Sequence, residues 1–125
     1  MLGKIVKTIA PFYDKSKNKM SFKSRPALVI GNPNGYDLDY LVLPVSTIKQ
    51  SQYIDPKYDI EIKRCDFPSL NLTQDSYIRT GKRTPINKAN IAGIIGDLKN
   101  DYEEKYIEII ATMECFDKEL LDKAI

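Results

Sequence analysis

The chain has 125 residues, 42% of them hydrophobic and 29% charged, with a formal net charge of +2. This composition fits one globular domain over residues 1–125, large enough for a single core without a metal or disulfides. There is no histidine, and the two cysteines, Cys65 and Cys115, form no CxxC; a zinc site, a Cys-His pair and a Ser-His-Asp triad are excluded or strongly disfavoured, and no cofactor is expected.

Leu2 to Ile9 alternates loosely and predicts a first strand ended by Pro11. Phe12 to Ser24 is polar and lysine-rich, and predicts a mobile loop leading into Arg25. Ala27–Ile30 and Tyr40–Val45 are apolar runs separated by Asn32-Pro33-Asn34-Gly35, so they read as two strands joined through a turn region with positive φ at Asn34-Gly35. Paired antiparallel, they bring Arg25, at the start of one, to the same sheet edge as Ser46 and Thr47, at the end of the other.

Tyr58–Ile62 alternates with Ile60 and Ile62 inward, Lys63–Gln74 reads as a loop, and Ser76–Arg83 as a further strand. The last strand is Ile91–Leu98, where Gly93 and Gly96 permit bending or close approach. Beyond it the period changes: Tyr102, Tyr106, Ile109, Ile110, Met113 and Phe116 recur at helical spacing, with Asp101 or Asn100 placed to cap the first turn and Asp117 to cap a further short helix. Short strands plus one terminal helix predict a mainly β (α+β) fold, a small bent antiparallel sheet or barrel.

Charge is unevenly spread. Residues 1–25 hold seven basic residues against Asp14 alone, whereas residues 97–125 hold nine acids against four lysines. The asymmetry points to a polyanion-facing end and a distal solvated end. No apolar run approaches the roughly 20 residues that span a bilayer, and Lys4 and Lys7 replace any signal-peptide core. A cytoplasmic protein with free, partly buried thiols and no membrane partner is therefore expected.

Arg25 followed by Pro26 opens the run RPALVIGN, and VLPVST follows it. Together they resemble the MazF/PemK (Kid-like) toxins of bacterial toxin-antitoxin pairs. Gly3-Lys4-Ile5-Val6, Ser76-Tyr77-Ile78-Arg79 and Ile94-Ile95-Gly96-Asp97-Leu98 resemble further segments of that family in the same order. The resemblance implies an SH3-like barrel with a C-terminal helix, a homodimer, a cognate antitoxin, and metal-independent, sequence-specific cleavage of single-stranded RNA by attack of a ribose 2′-hydroxyl. It implies Arg25 as the catalytic arginine, with Ser46 as the hydroxyl after the V-P-V strand and Thr47 as its neighbour.

Arg79, Lys82 and Arg83, together with Lys23 and Asn32, are the candidate RNA contacts. Gly81 stands where the Kid-like branch has an aspartate, which removes a candidate acid-base group and leaves Arg25 with Ser46 to carry the reaction. Tyr13, Tyr36, Tyr53 and Phe67 are candidate stacking aromatics. Two non-catalytic readings compete: a CcdB-like gyrase poison, disfavoured by the absence of tryptophan from the chain and its tail, and a plain RNA-binding barrel.

Overall fold

A computed structural model describes residues 1–125. Seven strands, β1 (Lys4–Asp14), β2 (Lys19–Gly31), β3 (Asp39–Ser46), β4 (Asp59–Ile62), β5 (Ser76–Arg79), β6 (Thr84–Asn87) and β7 (Ile91–Asp97), precede a one-turn helix α1 (Leu98–Asp101) and a long helix α2 (Glu103–Ala124). All strand pairs are antiparallel in the order β4-β5-β3-β2-β1-β7, with β6 also on β3, and the sheet curls into a half-barrel. The mainly β fold with a C-terminal helix is thus the one the sequence pattern predicts.

Alternation along the strands gives the sheet two dry faces. On the inner face Ile5, Leu28, Leu43, Val45, Ile60, Ile62 and Ile78 pack with Leu70, Leu98 and Ile109, so α2 closes the open side of the half-barrel. On the outer face Val6, Ala27, Val29 and Val42 form a smaller cluster under Met1, Tyr40, Ile86 and Ile91. Truncating a fully buried residue such as Ile109 costs about 2–5 kcal/mol. The register of β1 against β7 shifts at Ile5/Val6 and at Lys7/Thr8, irregularities of the kind that bend a sheet.

Several boundaries differ from the sequence reading. The predicted mobile loop is instead half of a long hairpin: β1 and β2 pair without a break from Ile5↔Leu28 to Asp14↔Lys19. Its turn is held by the Asp14 carboxylate, which accepts from the Ser16 amide at 3.0 Å and the Ser16 hydroxyl at 2.6 Å, and by Asn18, whose φ of 51° lies in the left-handed region that asparagine tolerates. Pro11 does not end β1 because β7 pairs only as far as Thr8, leaving an edge where a missing N–H is harmless.

The strand predicted over Ser76–Arg83 ends as β5 at Arg79, in a turn where the Thr80 hydroxyl donates to the Tyr58 carbonyl at 2.6 Å, and β6, which the sequence pattern does not predict, follows at Thr84–Asn87. At the helical end, Asp97 rather than Asn100 or Asp101 supplies a cap: it accepts from the Asn100 amide and so serves α1. Helix α2 begins without a side-chain cap and runs unbroken past Asp117. Both thiols are free, as expected, but exposed rather than partly buried. No helix is long and apolar enough to cross a membrane.

Candidate functional site

The β2–β3 register pairs Ala27 with Pro44, and continuing it by two residues sets Arg25 opposite Ser46. Residues directly opposite in an antiparallel pair project from the same face, so the arginine and the hydroxyl share the outer face. Arg25 does not start its strand; it sits midway along β2, at the point where β3 turns away and the hairpin continues alone. Its backbone is fixed from the other side, where the buried Thr8 donates its hydroxyl to the Arg25 carbonyl at 2.9 Å.

At this junction lies a cleft of about 470 Å³ lined by Lys23, Ser24, Arg25, Pro26, Val45, Ser46, Thr47, Lys49, Thr73 and Gln74. Three cations and four hydroxyls face it, with no carboxylate among them. By contrast, the wider cleft beside α2, about 650 Å³, is lined by Asp101, Glu103, Glu104 and Glu108 against Lys105 alone. A polyanion is attracted to the first and repelled by the second.

Among the four arginines, Arg25 is distinguished by what it does not touch. Arg79 pairs with Asp59 at 3.4 Å, Arg83 with Asp117 of α2, and Arg64 donates to the Thr73 carbonyl at 3.1 Å. The exposed guanidinium of Arg25 has no hydrogen-bond or ion-pair partner in the chain. Its planar fork of donors is free to bind a phosphate in bidentate fashion.

The other residues singled out from sequence lie in different places. Lys23 and Thr47 line the cleft with Arg25 and Ser46. Arg79 lies on the outer face of β5, Lys82 is exposed in the turn after it, and Arg83 is tied to α2. Asn32 sits beyond the far end of β2, roughly 20 Å from Arg25 by strand rise. Of the candidate stacking aromatics, Tyr36 and Tyr53 are exposed, whereas Phe67 packs edge-to-face on Tyr102 with ring centroids 4.9 Å apart.

Gly81 has a steric reason: a Cβ there would lie 2.9 Å from the Phe116 ring of α2. An aspartate at this position would have to displace the ring.

Lys49, Thr73 and Gln74 were not singled out from sequence. Thr73 and Gln74 reach the cleft because β5 pairs with the last two residues of β3, Val45↔Ile78 and Ser46↔Tyr77, which carries the segment before β5 alongside Ser46, whereas Lys49 follows Ser46 by three residues along the chain. The same pairing aligns Thr8, Arg25, Ser46, Tyr77 and Glu61 as one row across five strands. Tyr77 donates its phenol to Glu61 at 3.1 Å, and that carboxylate, with some desolvation, holds the phenol above its usual pKa and therefore protonated at neutral pH.

The molecule is thus a small antiparallel half-barrel carrying a basic, hydroxyl-lined and acid-free cleft at one end of its central strands. The chain matches no protein-family model and no curated protein.

Proposed function

We propose that the chain is a metal-independent endoribonuclease acting on single-stranded RNA, the toxin of a toxin-antitoxin pair in the manner of the MazF/PemK family it resembles, working in the cytoplasm as a homodimer restrained by its antitoxin. The observation that carries this reading is the unpaired guanidinium of Arg25 sharing one acid-free cleft with Ser46 and Thr47.

In this reading the ribose 2′-oxygen bonds to the adjacent phosphorus as the bond to the 5′-oxygen breaks. The 2′-hydroxyl loses a proton and the departing 5′-oxygen gains one, leaving a 2′,3′-cyclic phosphate and a free 5′-hydroxyl. Arg25 offsets the charge that builds on the non-bridging oxygens, and Ser46 and Thr47 orient the same phosphate. Lys23 and Lys49 hold flanking phosphates. The catalytic contribution is alignment of the 2′-oxygen and electrostatic stabilisation, terms large enough to drive phosphoryl transfer without a protein nucleophile.

One observation favours a second reading, a nucleic-acid-binding barrel that does not cut: no histidine or carboxylate lines the cleft to serve as a general base. Incubating the purified protein with a long single-stranded RNA in EDTA and mapping the ends separates the two. The nuclease reading requires discrete cuts with cyclic-phosphate termini, lost in Arg25→Ala and strongly reduced in Ser46→Ala. Binding without cuts establishes the second reading instead.

A further inference from the structure

The hairpin beyond the cleft has two unlike faces, and the unbroken β1–β2 register assigns each side chain to one of them. Ile9, Pro11 and Tyr13 lie opposite Ser24, Phe22 and Met20 on the face that continues the inner side of the sheet. Thr8, Ala10, Phe12 and Asp14 lie opposite Arg25, Lys23, Ser21 and Lys19 on the face that carries Arg25. Strand alternation therefore places Arg25, Lys23 and Lys19 in one row, with a step of about 7 Å from Arg25 to Lys23 and a row length of about 20 Å. Such a step suits successive phosphates of an extended strand.

The row has one gap, at Ser21, and Phe12 fills it from β1. The only acid on this face of the hairpin, Asp14, has its carboxylate turned onto the amides of Ser16 and Lys17. Ala10 beside Lys23 leaves space above the sheet.

We infer that this face of the hairpin is a single-stranded nucleic-acid track leading out of the cleft: Lys23 takes the next phosphate beyond the one at Arg25, Lys19 takes one two steps further on, and a base stacks on Phe12 between them. The track rests on the reading of the cleft as a phosphate site for RNA, and adds where the strand goes on leaving it. Face, not exposure, makes the selection. Phe22 is 73% exposed and Phe12 only 39%, yet Phe22 points to the side away from Arg25. A stacked base is worth about 1–3 kcal/mol by alanine substitution, and each phosphate contact on a single strand contributes roughly 0.7 to the salt slope.

The test is fluorescence anisotropy with a fluorescein-labelled, 2′-O-methylated oligouridylate, whose own ribose cannot cut it. Phe12→Ala weakens binding about 5- to 150-fold, while Phe12→Tyr retains it and Phe22→Ala leaves it unchanged. The Lys19→Ala/Lys23→Ala double variant lowers the salt slope by about 1.4. Unfolding midpoints matching the parent protein show that the hairpin is intact. The track is overturned if the oligouridylate does not bind, if Phe12→Ala binds like the parent, or if Phe22→Ala loses as much as Phe12→Ala. Because the probe is uncleavable, a protein that shows these dependences but never cuts ordinary RNA loses the nuclease reading and keeps the track. One that cuts RNA with no dependence on Phe12 or the two lysines keeps the first and loses the second.

Discussion

Thr8 and Arg25 face each other across the central hairpin, and the Thr8 hydroxyl donates to the Arg25 carbonyl at 2.9 Å. Thr8 is buried, so its hydroxyl has no ready replacement in solvent. Thr8→Val keeps the shape and the strand preference but removes the hydroxyl's hydrogen bond to that carbonyl, at a cost of about 0.5–1.5 kcal/mol in urea unfolding. If Arg25 is the catalytic fork, the same variant lowers the cleavage rate at saturating RNA more than it weakens RNA binding, and Thr8→Ser restores both. Unchanged unfolding and cleavage would show that the hydroxyl holds nothing in place.

The two strand arginines are separated by their partners. Asp59 has a side chain only 3% exposed and pairs with Arg79 across the β4–β5 ladder. Arg79→Ala leaves that carboxylate with the Asp55 amide, which donates to it at 2.8 Å, as its remaining donor. The loss is expected to cost about 1–3 kcal/mol, below the range for a fully buried pair because Arg79 is itself part-exposed. Arg25→Ala removes no partner and is expected to stay within about 0.5 kcal/mol of the parent in stability. Urea unfolding of both variants checks this; equal losses would mean that Arg25 is a structural arginine after all.

Gly96 and Gly93 lie on the same strand with opposite surroundings. A Cβ at Gly96 would meet the Cα of Leu70 at 2.7 Å, whereas nothing lies within 4 Å of one at Gly93. Backbone cannot swing aside as a side chain does, so Gly96→Ala is expected to cost about 1–3 kcal/mol, and Gly93→Ala less than about 0.5 kcal/mol. Chemical denaturation of the pair is the measurement, and parity between them would mean that the segment before Leu70 does not pack on β7 as described.

That contrast also marks how far the sequence is legible. Strand β4 and the stripe of α2 are read from alternation and helical period because one face of each packs on the core, and burial is what writes such a pattern, whereas β3, with Val42 and Leu43 buried on opposite faces, is read as an apolar run between turn residues. The outer half of the hairpin has solvent on both faces, so its lysines mask the alternation, and its order comes from the Asp14–Asn18 turn instead. The break between β5 and β6 answers to Tyr58 and Phe116, partners distant in sequence. Within the cleft, Arg25, Ser46, Thr47 and Lys23 were legible as local motifs, but Thr73 and Gln74 arrive through the β3–β5 pairing, which no local pattern encodes.

The C-terminal half of α2 is fastened to the segment before β4 by a titratable knot. Glu119 accepts from Lys57 at 2.8 Å, from Lys123 at 3.1 Å and from the Tyr58 hydroxyl, while Tyr58 meets Phe116 edge-to-face. Hydrogen bonds from Lys57, Tyr58 and Lys123 bring the Glu119 carboxyl down to a pKa of about 2 from the ordinary 4.5. A carboxyl depressed in the folded state stabilises the fold above its unfolded pKa, and the contribution disappears as pH falls through the window from about 4.5 to about 2. The urea midpoint of the parent protein should therefore drop more steeply on acidification through that window than that of Glu119→Gln, which has no such proton to gain. Because the group is solvent-exposed, added salt should narrow the difference. Parallel pH profiles for the two proteins would mean that the knot contributes nothing to the docking of α2.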